Sequence, residues 1–146
     1  MGTSARKRAM DLLARREHSR TELIRKLETR GIPLDEATEA VGTLEGEGLV
    51  DDERFAESFV ASRIRRGQGP ARIGHELAQR GVSRDVSAGA LTDPDEVWVE
   101  RAIDVLLRRY GNRPADDYGE RAKRMRFLYQ RGFTSDQARR AVAADN

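Results

Sequence analysis

Three times along the chain a leucine is followed, after two further residues, by arginine, glycine and an apolar residue. The copies are Leu27…Arg30-Gly31-Ile32, Leu77…Arg80-Gly81-Val82 and Leu128…Arg131-Gly132-Phe133. Gly31 and Gly81 are 50 positions apart, and Gly81 and Gly132 are 51 apart. The match continues beyond the glycine. Asp35, Asp85 and Asp136 stand four residues on, Ala40, Ala90 and Ala141 nine on, and Val41, Leu91 and Val142 ten on. Agreement at so many columns in near-constant phase marks an internal repeat, which constrains the architecture more than any composition does.

Each copy has a simple physical meaning. The leucine closes the apolar face of a helix. The glycine at the position after the C-cap takes the left-handed conformation that ends it. The next apolar residue tucks back, and the aspartate favours the positive N-terminal turn of a new helix. The spacing therefore predicts an all-α fold, as an elongated, curved array of three tandem three-helix modules over residues 1–50, 51–92 and 93–146. A chain of 146 residues with 36% charged side chains supports this. Soluble domains carry about 25% charge, so one thick core is not expected. Modules this small depend on their neighbours for stability.

The helix boundaries follow from local signals. Met1–Ser4 is expected to be loose, ahead of a stripe of Ala5, Ala9, Leu12 and Leu13. Ser19-Arg20-Thr21-Glu22 reads as a capping box, and Pro33 as the launch of a third helix. Asp51-Asp52-Glu53 caps the next helix, which buries Phe55, Ala56, Phe59 and Val60. Pro70 suits the first position of the helix ending at Arg80. The helix around Asp85–Leu91 is predicted to be short and weak. Asp93-Pro94-Asp95-Glu96 reads as cap, proline at the first position and acid at the third. Asp117 with Glu120, and Thr134 or Ser135, open the last two helices. Gly42, Gly74 and Gly89 fall inside predicted helices, either as tolerated poor helix formers or through close helix packing, or to let the modules bend to fit a partner.

No catalytic constellation assembles from this sequence. The two histidines, His18 and His75, lie in different modules, and there is no cysteine. No phosphate-binding glycine loop or zinc-protease motif occurs. Neither cofactor nor metal is expected, although paired acids on helices leave a metal-dependent nuclease as an alternative. No apolar run is long enough to span a bilayer, and no signal-peptide pattern opens the chain. A cytoplasmic monomer without membrane contact is the expectation.

Charge is unevenly spread. Residues 1–50 carry net 0, 51–100 net −3 and 101–146 net +5. Such asymmetry suits a polyanion or a partner of matching pattern. Arg63, Arg65, Arg66 and Arg72 bracket the Gly67–Pro70 break, and Arg121, Lys123, Arg124, Arg126 and Arg131 crowd one helix. Arg63 falls on the apolar face of its helix, either as a structural pair with an acid or as a partner contact. Phe127 sits among cations where the other copies have Lys26 and Glu76. It either packs on a neighbouring helix or presents a ring for stacking or anchoring.

The stretch Asp51-Asp52-Glu53-Arg54-Phe55-Ala56-Glu57-Ser58-Phe59-Val60, with Ser62-Arg63 and Gly69-Pro70-x-Arg72-Ile73 after it, resembles the signature of the RecX regulatory proteins. Arg15-Arg16-Glu17-His18-Ser19 and Arg126-Phe127-Leu128-x-x-Arg131-Gly132-Phe133 are similar to the same family's outer segments. The likeness covers residues 5–142, with departures at Gly46 and Ala37. It implies tandem three-helix modules, no catalysis and no cofactor. It also implies a partner, the RecA filament, in whose groove the protein would block extension and damp ATPase and co-protease activities. The basic residues and Phe127 become candidates for that contact, with single- or double-stranded DNA as a further partner of the basic surface. The alternative is a helical module that binds DNA directly.

Overall fold

The computed structural model describes residues 2–145. Among these the chain forms nine helices and no strand. They are α1 (Gly2–Leu13), α2 (Arg20–Thr29), α3 (Leu34–Gly46), α4 (Asp52–Arg65), α5 (Pro70–Gln79), α6 (Arg84–Ala90), α7 (Asp95–Tyr110), α8 (Tyr118–Gln130) and α9 (Ser135–Asp145). The all-α reading is thus realised. Gly2–Ser4 are not loose but form the first turn of α1, which Arg6 ties down through a 2.8 Å ion pair to Glu47. Met1 lies outside the described residues.

The repeat is a helix-ending device, used three times with the same bonds. Gly31, Gly81 and Gly132 have φ of 88°, 78° and 97°. The amide after each glycine donates back to the repeated leucine: Ile32 to Leu27 (3.1 Å), Val82 to Leu77 (3.1 Å) and Phe133 to Leu128 (3.2 Å). Each glycine amide bonds the carbonyl of the residue after that leucine, which completes a Schellman motif. All three leucines are fully buried. The aspartates then occupy the second position of α3, α6 and α9, where a negative charge complements the helix dipole.

The chain divides into two compact units, and the division passes through α4 and α5. One unit takes the chain up to Phe59 together with Leu77–Ala90; the other takes Val60–Glu76 together with the chain from Leu91 onward. In the first, α1, α2 and α3 pack around Ala9, Leu12, Leu23, Leu27, Val41 and Leu44. Ala37, one of the family departures, is fully buried here. In the second, α7, α8 and α9 pack on one another, with Trp98, Ala102, Leu106, Phe133 and Ala141 buried. The weak α6 buries no residue fully.

Inside each unit the glycine ending of one helix receives the start of another. In the first unit Ser19 caps α2 by accepting from the Glu22 amide (3.0 Å), and its hydroxyl donates to the Arg80 carbonyl (2.6 Å). In the second, the Gly69 and Ala71 amides at the start of α5 donate to the carbonyls of Arg131 (2.8 Å) and Gly132 (2.9 Å). Orphan donors at a helix start and orphan acceptors at a helix end satisfy each other. The approach leaves no room for a side chain. A Cβ on Gly81 would lie 2.3 Å from Thr21 Cβ, and one on Gly132 2.2 Å from Arg72 Cβ. A Cβ on Gly69 would lie 2.4 Å from the Phe133 nitrogen. By contrast, a Cβ on Gly31, Gly42, Gly46 or Gly89 would meet nothing within 4 Å, and one on Gly74 only Leu91 at an ordinary 3.6 Å. Close packing therefore does not explain the mid-helix glycines.

Two cap readings need correction. Glu22 does not fold back to its cap; its carboxylate binds Arg16 (3.1 Å) and Arg80 (2.5 Å), since two guanidinium partners outweigh one amide. Asp93 does not cap α7 either. It pairs with Arg101 at 2.7 Å, and Pro94 takes the cap position. The reciprocal box occurs instead at α9, where Thr134 and Gln137 exchange bonds of 3.0 and 3.1 Å.

Behind Ser19 the His18 ring is buried, 1% exposed. Its Nδ1 lies 3.0 Å from the Arg16 carbonyl and its Nε2 3.0 Å from Lys26 Nζ. A carbonyl on one side and an ammonium on the other require the tautomer with hydrogen on Nδ1. Burial holds the imidazole's pKa below the ordinary 6.5; the Arg16 carbonyl pulls the other way, and the Arg16 and Lys26 charges add to the lowering.

Two outcomes are expected. Gly132→Ala, which combines a left-handed backbone with a steric clash, destabilises by about 3 kcal/mol or more. Gly31→Ala, strained but unhindered, costs about 1–2 kcal/mol; urea midpoints separate the two. For His18 the neutral form is the folded one, so its contribution is complete above the unfolded pKa and is lost as pH falls toward the lower folded value. The urea midpoint should therefore drop as the pH is lowered through and below the ordinary 6.5, and H18Q should flatten that drop.

Candidate functional site

The basic residues singled out by sequence do not form one surface; the second unit sorts them by their partners. Arg63 and Arg72 both bind Glu76, at 3.0 and 3.1 Å, one carboxylate oxygen each. Arg63 is half-buried in that pair, so the structural reading of its odd position holds. Arg121 reaches the Ala115 carbonyl at 3.4 Å. Arg65, Arg66, Lys123 and Arg126 are exposed and have no carboxylate within ion-pair distance among the described residues.

Arg124 requires a correction. Its sequence position groups it with the basic face, yet it is fully buried. Its guanidinium binds Glu120 at 3.2 Å and the Arg113 carbonyl at 2.8 Å, and lies 4.5 Å from the Tyr110 ring centroid. A buried guanidinium is tolerated only when its donors are satisfied in this way. It ties the Arg113 loop and α7 to α8, and is unavailable to a partner.

Phe127 packs edge-on against Tyr110 of α7, with centroids 5.8 Å apart at 85°. Arg109 and Arg131 lie over its ring at 5.2 and 5.1 Å. The ring that the sequence offers for stacking is thus already engaged, as a pedestal for two cations. Around it opens a cavity of about 260 Å³ lined by Arg66, Val105, Arg108, Arg109, Phe127 and Arg131. Arg131 Nη1 also donates to the Arg66 carbonyl at 3.3 Å, which fixes the wall. Arg108 is paired with Asp104. Arg66 and Arg109 have no carboxylate partner among the described residues. With Arg108 paired to Asp104, Arg66 and Arg109 are lining guanidiniums without an acid partner among the described residues, and planar forks of this kind match phosphate or carboxylate oxygens.

Adjoining it, and sharing Gly67, Val105 and Arg108, is a second cavity of about 360 Å³ of mixed charge, which reaches Arg65, Gln68 and Arg101 and also the carboxylates of Glu100 and Asp104. Sequence reasoning missed Arg108, Arg109, Gln68 and Arg101. The first two look like cations at a helix C-terminus, where the dipole favours them. Arg126 faces elsewhere, into a recess with Met125 and Tyr129. Among the described residues no group of three or more potential ligands gathers to hold a metal, and no helix is long and apolar enough to cross a membrane.

Three family models match in succession, described as the first, second and third three-helix domains of RecX, over residues 5–44, 51–91 and 95–142. The chain belongs to the RecX family. RecX regulatory proteins of Halorhodospira halophila and Ectopseudomonas mendocina are each 46% identical, over 97% and 95% of this chain and 88% and 93% of theirs. A RecX crystal structure from Lactobacillus salivarius superposes with a TM-score of 0.82 at 23% identity, covering 98% of this chain and 95% of that one. Another RecX crystal structure gives 0.80 at 27% identity over 98% of this chain and 71% of that one. The all-α tandem architecture is therefore that of RecX.

The sorting of arginines has a measurable consequence. Arg124→Ala removes one side of a buried pair and should cost about 3 kcal/mol in urea denaturation. Arg126→Ala, on the open surface, should stay within about 0.5 kcal/mol of the parent.

Proposed function

We propose that this RecX chain is a non-catalytic negative regulator of the RecA recombinase. It acts as a monomer on the RecA–DNA filament, lodges in the filament groove, blocks extension and so lowers recombinase, ATPase and co-protease activities. Membership of a family of regulatory proteins supports a regulatory role on RecA. The observation that carries the contact is the set of exposed cations in the second unit with no carboxylate partner among the described residues: Arg65, Arg66, Lys123 and Arg126, beside the Phe127 ring with Arg109 and Arg131 over it. A cation with no carboxylate partner keeps its electrostatic reach for something else. Arg63, Arg72 and Arg124, each bound to an acid, serve the unit's own structure.

The test is a DNA-dependent RecA ATPase assay with the Arg65→Glu, Arg66→Glu double variant. Both side chains are exposed, so the fold should survive, as a thermal melt would verify. Inhibition should weaken by tenfold or more, on the order of two charge-assisted hydrogen bonds removed at about 1.5 kcal/mol each. Undiminished inhibition by a folded double variant removes this patch from the interface.

A further inference from the structure

The column of the repeat that holds Glu76 and Phe127 in the later copies holds Lys26 in the first. Of the chain's 27 basic side chains only Lys7, Lys26 and Lys123 are lysines. Lysine is the cation whose proton burial loosens, whereas arginine keeps its own. His18, Glu22, Lys26 and Arg30 succeed one another every four residues, so the last three share one face of α2 and its C-cap. Lys26 is partly exposed, while the imidazole next to it is buried. Its Nζ donates to His18 Nε2 at 3.0 Å, and Nδ1–H of that ring donates to the Arg16 carbonyl at 3.0 Å. Nε2 is therefore an unprotonated base aimed at the amine and oriented by a backbone acceptor on its far side. Glu22, the acid on this face, is bound by Arg16 at 3.1 Å and by Arg80 at 2.5 Å. Arg30 is exposed and has no carboxylate within ion-pair distance among the described residues. Burial holds the Lys26 pKa below the ordinary 10.5; the Arg16, Arg30 and Arg80 charges add to the lowering, and Glu22 opposes it. All of these residues belong to the first unit.

We propose that Lys26 is a site of covalent acylation by acyl phosphates, with His18 as the positioned base. An amine attacks through its unprotonated form, which burial and neighbouring cations favour over the ammonium. The guanidiniums of Arg16, Arg30 and Arg80 around the single Glu22 carboxylate leave a positive field. Such a field draws an anionic reagent and suits its phosphate oxygens. In the step, the Lys26 Nζ lone pair attacks the carbonyl carbon and a C–N bond forms. The bond from that carbon to the bridging oxygen breaks, and inorganic phosphate leaves with the electron pair. The proton lost from Nζ passes to His18 Nε2. The ring, now carrying hydrogen on both nitrogens, still donates from Nδ1 to Arg16. Water or the departing phosphate then takes the proton away. Nothing is oxidised or reduced, and the chain is modified rather than turned over. The product replaces a cation by a neutral amide beside the Ser19–Arg80 seat. A purely structural His18–Lys26 pair would instead shield Nζ and make it the slowest lysine to react. The inference requires no recombinase and is independent of the proposed filament contact.

The experiment treats the full chain with acetyl phosphate and follows Lys7, Lys26 and Lys123 by site-resolved mass spectrometry. The uncharged acetyl donor p-nitrophenyl acetate serves as comparator. Near neutral pH, Lys26 should react with acetyl phosphate about tenfold or more faster than Lys7 and Lys123, well within what a positioned base supplies. Its rate should also level off at a lower pH than theirs. In denaturing urea the three lysines should react alike. His18→Gln keeps a hydrogen-bond acceptor beside Nζ but no base, and should bring the Lys26 rate down to that of the other two; circular dichroism verifies that the variant is folded. Arg30→Gln, on the exposed surface, should slow acetyl phosphate at Lys26 about threefold more than it slows p-nitrophenyl acetate, the size of one exposed charge interaction. A Lys26 that reacts no faster than Lys7 and Lys123, or that speeds up on denaturation, overturns the proposal and leaves the His18–Lys26 pair a structural one. An unchanged Lys26 rate in folded His18→Gln overturns it as well. Equal slowing of both donors by Arg30→Gln overturns the choice of an acyl phosphate as the reagent.

Discussion

Everything in this fold hangs on one contact, the seating of a helix start on a glycine-ended helix stop. Backbone amides or a serine hydroxyl meet carbonyls that would otherwise lack partners, and opposite ends of two helix dipoles come together. Small modules with few large apolar residues cannot rely on core area alone. Here they add directional bonds at Ser19–Arg80 in one unit and Gly69–Arg131 in the other. The glycines at these seats are required twice over at positions 81 and 132, by the left-handed backbone and by the neighbour's proximity.

That contact also explains why the compact units do not break where the repeat does. The repeat counts helices along the chain, whereas compactness follows packing. With both ends of α5 held in seats, its C-terminal part belongs with α2 and its N-terminal part with α8. The one follows sequence period and the other packing, which need not coincide in a repeat protein.

Much of the fold was legible because the signals were local. Glycine, aspartate and the buried leucine recur in phase, and each has a single-turn meaning that tertiary context did not overrule. What failed were choices between competing local partners. Glu22 and Asp93 each had a helix-cap role open to them and took arginine instead, because the decisive guanidiniums, Arg80 and Arg101, lie 58 residues along the chain and eight residues on in α7. The site was legible only in part for the same reason. Composition shows which residues are basic but not which are already spoken for. Arg124 and Arg126 are two residues apart on α8, yet one is buried in a network and the other faces solvent. The periodicity that put Phe127 among cations was right, but the Tyr110 edge and the guanidiniums over its ring came from α7 and from the helix end.

The first copy carries the same helix stop, and among the described residues no helix start is seated on it. The Arg30 carbonyl accepts from the Arg8 guanidinium at 3.2 Å, and the space around Gly31 is clear. An exposed side chain stands in front of a docking shape that the later copies fill. Lengthening the protein by another module of the same pattern, spliced ahead of α1, would therefore need no new joinery: a shorter residue at position 8 and a serine or glycine start on the incoming helix would suffice.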